Sequence, residues 1–268
     1  MLRRLASLLL ALALCACDGR APGPATWRDR DASPPDGSFG IVGMGGGLAG
    51  GGGGGAPRPA PGDCGGRVLV VFDRSGSMNE PWTVDGASRP RWRVAADAVS
   101  AALEPLAARL EVGAILFPTG GAHDLDLCAE VAPIEAQLPF GPGASFLAAW
   151  DARWASGVAS GSTPLDPAFA RADEALRDAP ARGVAVVLLT DGMPTCSEAP
   201  HAWDRAASWS ARGIATWVVG LPGAHGLATL DRVAAAGGTG ASLSVDEPAA
   251  LGARLAEIAG EAAEQGCR

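Results

Sequence analysis

Residues 67–77 read Arg67-Val68-Leu69-Val70-Val71-Phe72-Asp73-Arg74-Ser75-Gly76-Ser77. An unbroken apolar run between polar flanks is how a strand buried on both faces reads, and such strands belong to parallel sheets. This one ends on a carboxylate. Val184 to Thr190 repeats the pattern and is followed by Asp191-Gly192, and Val112 to Phe117 supplies a third run. Ile214 to Val219 and Ser242 to Val245 are further strands, and Glu130 to Ile134 is read as a short edge strand. Between them lie segments with helical spacing of apolar residues. These are Arg93 to Leu110, with Pro105 as a break, Ser145 to Ser156 and Pro164 to Arg177, then Ala202 to Arg212, Leu227 to Ala236 and Pro248 to Glu264. Ser162 or Thr163 is the expected cap of the third helix. Strands alternating with helices predict an α/β fold. Its sheet is open and mostly parallel, with one short antiparallel edge strand and helices on both faces.

Upstream of Cys64 the character changes. Arg3 and Arg4 precede the apolar run Leu5 to Leu14, which is too short to span a bilayer comfortably and reads as an export leader. Leu14-Cys15-Ala16-Cys17 then resembles a bacterial lipobox. Residues 1–16 are the expected signal peptide and Cys17 the lipidated residue. From Asp18 to Asp63 the chain is rich in Gly, Pro, Ala and Asp and contains the run Gly50 to Gly55. That composition buries too little apolar surface to offset its conformational entropy and reads as a tether. The predicted folded domain is 64–268, placed in the bacterial cell envelope by a lipid anchor, on the periplasmic face or the cell surface.

Charge and histidine content narrow the function. The 268 residues carry a net charge of −8, and loss of Arg3 and Arg4 with the leader takes it to −10. An acidic chain without a basic stripe lacks what draws proteins to nucleic acid. His123, His201 and His225 are too scattered for a zinc site.

Three segments carry the chemistry. The first strand runs into Asp73-Arg74-Ser75-Gly76-Ser77. A loop offers Gly161-Ser162-Thr163-Pro164. The second strong strand ends in Thr190-Asp191-Gly192. Parallel strands bring their carboxyl ends to one edge of the sheet, where ligands bind. Carboxylates and hydroxyls gathered there are hard oxygen donors, suited to Mg²⁺ or Mn²⁺.

This set resembles the metal-ion-dependent adhesion site of von Willebrand factor type A domains, over roughly Arg67 to Glu264. The motif Asp-x-Ser-x-Ser falls on Asp73, Ser75 and Ser77, the family's threonine on Thr163 and its later aspartate on Asp191. The resemblance implies one divalent cation and recognition of a Glu or Asp on another protein, in adhesion or complex assembly. Candidate partner contacts are Asn79, Glu80 and Trp82 after the first motif and Met193, Pro194 and Thr195 after Asp191, with Trp82 the foremost because aromatic residues favour hot spots.

Two rival readings remain at this point. A metal-independent structural surface protein would need none of these side chains. A metal-dependent phosphohydrolase on a related sheet would normally carry a second acid two residues after the first, where this chain has Ser75, and there is no Gly-x-Ser-x-Gly or His-Glu-x-x-His motif. The expectation is therefore a binding protein and not an enzyme.

Four cysteines remain after Cys15 and Cys17: Cys64, Cys128, Cys196 and Cys267. An even number in an oxidising compartment suggests disulfides, and four cysteines allow three pairings. Related domains staple their adjacent termini, which implies Cys64–Cys267. Cys128 and Cys196, in loops near the site, are expected to form the second bridge.

Overall fold

The computed structural model describes residues 65–119, 131–134, 137–154, 159–180, 182–197, 199–224 and 227–267. All belong to one compact unit, Gly54–Arg268. The leader, Cys17, the tether, Cys64 and Cys128 lie outside the described residues.

Among those residues the chain runs through β1 (Gly66–Asp73), β2 (Pro81–Val84), β3 (Ala87–Pro90), α1 (Arg91–Leu103), β4 (Leu110–Phe117), β5 (Leu138–Pro142) and α2 (Gly143–Trp154). It continues with α3 (Leu165–Ala175), β6 (Val184–Thr190), α4 (Ala202–Ala211), β7 (Ala215–Gly220), α5 (Leu227–Ala236), β8 (Leu243–Ser244) and α6 (Pro248–Gln265). The main sheet has the order β5-β4-β1-β6-β7-β8. Every neighbouring pair is parallel except β4 with β5. This is the predicted open, mostly parallel sheet with one antiparallel edge strand.

The alternation of side chains along β1 explains why both its faces are apolar. Val68, Val70 and Phe72 join a core with residues of α1, α2 and α6. Leu69 and Val71 join the opposite core, with residues of α3, α4 and α5. Under the end of β1, the Phe72 ring lies 5.3 Å from Trp150 and 4.9 Å from Trp154, centroid to centroid. The end of the strand is thus held by large rigid side chains. On the other edge α6 crosses so closely that a Cβ on Gly66 would sit 2.3 Å from the Ala262 carbonyl, so only glycine fits there.

One local expectation is corrected, the expected break at Pro105 is located, and one ribbon was not foreseen. The edge strand is Leu138–Pro142, and none of residues 131–134 is in a strand. The first long helix stops at Leu103, a 3₁₀ segment occupies Glu104–Arg109, and β4 begins at Leu110. Pro105 accounts for the break, since it cannot supply a backbone N–H to the helix. The β2–β3 ribbon, turned at Asp85 (φ 50°) and Gly86 (φ 78°), has no counterpart in the sequence reading.

The topology sets the position of a site. After β1 the chain builds outward to β4 and β5, then returns to add β6 on the opposite side. The sheet reverses direction around β1, and the crevice at its carboxyl end is where such folds place ligands.

Candidate metal centre

β1 and β6 are adjacent and in register, Phe72 opposite Leu189. Asp73 and Asp191 therefore emerge side by side at the carboxyl edge. Both are buried, as are Ser75 and Thr163, while Ser77 is exposed. The Ser77 hydroxyl donates to Asp191 Oδ1 at 2.7 Å and lies 3.1 Å from the Ser75 hydroxyl. A methyl group on Gly192 would sit 3.7 Å from Ser77 Oγ and 3.8 Å from Thr163 Oγ1, so both hydroxyls border one small space. All five sequence-predicted residues converge.

The loops are tied together through their backbones. Gly76 N donates to Gly161 O at 2.9 Å, and Ser160 N to Arg74 O at 2.7 Å. These bonds fasten the Thr163 loop to the first motif. Thr195 adds a second tie, accepting from Thr163 N at 2.8 Å through its hydroxyl and donating its own N–H to Thr163 O at 3.1 Å. Neither Ser162 nor Thr163 caps α3. The N-cap is Pro164, which has no side-chain donor or acceptor. The Thr163 hydroxyl is thereby left beside the other donors.

Asp73 shows the electrostatic cost of the arrangement. Ser75 N donates to its Oδ1 at 2.7 Å and the Thr190 hydroxyl to its Oδ2 at 2.5 Å. Burial nevertheless pushes the carboxyl up to about 7, with hydrogen bonds from Thr190 and from the backbone and side chain of Ser75 opposing the rise and the neighbouring Asp191 adding to it. A buried anion raised in this way is a place where a cation would be stabilising. The donor set also fits: two carboxylates and three hydroxyls, hard oxygens of the kind Mg²⁺ and Mn²⁺ take. Among the described residues no three His, Cys, Asp or Glu side chains cluster as a softer metal would require.

Two residues of the site escaped the sequence reading. Thr190 orients Asp73; its signal was a hydroxyl closing an otherwise apolar strand. Arg91 is the other. It is buried, its Nη1 donates to Asp191 Oδ2 at 2.8 Å, and its Nη2 donates to Glu80 Oε2 at 2.7 Å. It is the first residue of α1, two residues before the start read from the sequence, so nothing in the sequence marked it.

The candidate partner contacts separate. Trp82 is not at the rim: it is 5% exposed, packs in the core, and its Nε1 donates to Asp246 O at 2.9 Å. A strand alternates its side chains, and β2 points Trp82 inward. Asn79 is exposed but braces the loop, donating to Ala159 O at 2.6 Å. Glu80 holds Arg91, and Thr195 holds Thr163. Met193, two residues after Asp191, is 52% exposed.

No protein-family model and no curated protein matches the chain. Solved structures do. The conserved hypothetical protein BatB from Bacteroides thetaiotaomicron aligns with TM-score 0.56 and 18% identity, covering 75% of this chain and 100% of its own. An aerotolerance-related membrane protein from Bacteroides fragilis aligns with TM-score 0.54 and 21% identity, with the same coverage, 75% and 100%. A von Willebrand factor type A protein from Catenulispora acidiphila aligns with TM-score 0.50 and 18% identity, over 75% of this chain and 43% of that one. Identities this low speak to architecture alone. With the sheet order, the single antiparallel edge pair and the helices on both faces, they show that the described part of this chain has the von Willebrand factor type A fold.

Proposed function

We propose that this chain is an envelope-anchored protein-binding module, serving adhesion or complex assembly. It holds one Mg²⁺ or Mn²⁺ through Asp73, Ser75, Ser77, Thr163 and Asp191 and captures an acidic side chain of a partner protein. The carrying observation is the convergence of two carboxylates and three hydroxyls from three separate segments at the carboxyl edge of β1 and β6. The hydroxyls are neutral, so a bound cation keeps electrophilic character. A net-acidic domain repels an acidic partner in general, and a metal with an open coordination position overcomes that locally. The cluster's side chains are the two acids, their hydroxyl partners and an ion-paired arginine, a set suited to holding a cation. The module binds and does not turn over a substrate.

The test is a pull-down from envelope extract in Mg²⁺ and in EDTA. A partner retained only in Mg²⁺ is expected. Retention should weaken about tenfold or more with Ser75→Ala or Thr163→Ala, as for loss of a ligand or its support, and vanish with Asp191→Ala while the fold survives. Full-strength retention in EDTA would favour an inert surface scaffold.

Two further proposals concern covalent chemistry. Cys17 carries the lipid, and Cys17→Ser should move the protein from the membrane to the soluble fraction; an unchanged distribution contradicts it. No helix among the described residues is long and apolar enough to cross a membrane. Cys196 and Cys267 are each disulfide-bonded. Gly266 packs on Gly65, a Cβ on the former meeting the carbonyl of the latter at 2.4 Å. The two ends therefore meet, which supports Cys64–Cys267 and leaves Cys128 for Cys196. Non-reducing peptide mapping should recover both bridges, and a Cys64–Cys128 peptide would refute the assignment.

A further inference from the structure

Arg91 stands where three loops meet. It opens α1, directly after the β2–β3 ribbon, and its backbone N–H donates to Glu80 O at 3.0 Å. Its guanidinium reaches across to Asp191 on β6. On a third side it fills the space above Gly223, in the loop after β7. A Cβ there would lie 2.8 Å from Nη2 and 3.1 Å from both Cζ and Nη1. Gly223 also has φ +81°, a conformation other residues adopt with strain. A long cation has thus been given a tailored, mostly buried place against one of the candidate metal ligands.

The two ion pairs of Arg91 differ in weight. The Asp191 side chain is 0% exposed, so its attraction to Arg91 is little screened. The Glu80 side chain is 62% exposed, and its pair with Arg91 is diluted by water. Asp191 also divides its oxygens: Oδ2 faces Arg91 and Oδ1 accepts from Ser77. Only the Ser77 side of the carboxylate is turned toward the hydroxyl cluster.

We propose that Arg91 is a resident counter-cation of this centre and a positioning residue for it. Without metal, it neutralises Asp191 and keeps the emptied cluster folded. With a divalent ion bound, it offsets one of the two carboxylate charges. The buried centre then carries a surplus positive charge, and the ion's remaining coordination position favours a carboxylate over water. Arg91 therefore lowers affinity for the metal and raises affinity for the acidic ligand. This inference rests on the metal reading proposed above and assigns the preference for acidic partners to a residue that touches neither metal nor partner.

The experiment uses Mn²⁺ alone as first probe and acetate, titrated into the Mn²⁺-loaded protein, as second. Wild type, Arg91→Gln, Arg91→Met and Arg91→Lys are compared, with melting curves in EDTA to establish that each is folded. Methionine has similar reach without charge and serves if glutamine leaves the pocket too polar. The neutral variants should bind Mn²⁺ roughly tenfold more tightly and acetate several-fold more weakly, as removal of a nearby unscreened charge requires. Arg91→Lys, keeping the charge, should stay near wild type on both. Mere structural damage would only weaken Mn²⁺ binding, so the direction of the change decides. Neutral variants that fold yet bind Mn²⁺ no better than wild type would overturn the role of Arg91. Absence of Mn²⁺ binding by wild type would instead overturn the metal reading.

Discussion

Asp73→Asn should raise the melting temperature of the metal-free protein at pH 8, by roughly 5 °C, while removing its ability to bind a divalent cation. The carboxyl is fully buried, and burial pushes it up from 3.8 to about 7. Between these values the folded chain holds a proton that the unfolded chain has released. Stability therefore falls as pH rises through that window. Below about pH 4 both states are protonated and the group costs nothing; above about pH 7 the cost is present in full. Asparagine has nearly the same shape. Its oxygen can accept from Ser75 N, and its amide can meet the Thr190 hydroxyl that now donates to Oδ2. The substitution removes the buried charge without removing the packing. In EDTA, wild type should lose stability from pH 5 to pH 8 relative to Asp73→Asn, and the two should converge near pH 4. In saturating Mn²⁺ at pH 8 the order should reverse, because only wild type gains the binding energy of the ion. A variant less stable than wild type in EDTA at pH 8 would show that the carboxylate serves the fold and not a ligand.

This opposition between stability and the proposed metal binding is visible in how the site is supported. The large side chains beneath it, Phe72, Trp150 and Trp154, hold the end of β1 in place. The backbone bonds from Gly76 to Gly161 and from Ser160 to Arg74 hold the Thr163 loop. Asp73 is forced into a dry position by a frame that is stable for other reasons.

The parts of the molecule legible in the sequence share one physical property. β1 and β6 are buried on both faces, so their composition is uniformly apolar and their ends are marked by an aspartate. The meeting of Asp73 and Asp191 followed, because a parallel sheet brings those ends together. What escaped lies at half-buried edges. β5 reads Leu138-Pro139-Phe140-Gly141-Pro142, and its proline and glycine content suggests a loop. Yet proline is tolerated on an edge strand, where an unpaired N–H is not missed. The β2–β3 ribbon carries Asp85-Gly86, a strong hairpin signal, but its strands have only four residues each. Trp82 was misplaced for the same reason, since without the ribbon no alternation pointed it inward. Arg91 was hidden by its company. It lies between Arg89 and Arg93, which pair with the exposed Asp97, so its own burial had no trace in composition.

Mn²⁺ titration calorimetry on the folded domain tests the central claim most directly. Wild type should bind one ion per chain. Asp73→Ala should weaken that binding about a hundredfold or more, because it removes one of only two anionic ligands from a dry site. Equal binding by the two proteins, or no binding by wild type in a chain whose melting curve shows it folded, would contradict a cation held by Asp73, Ser75, Ser77, Thr163 and Asp191.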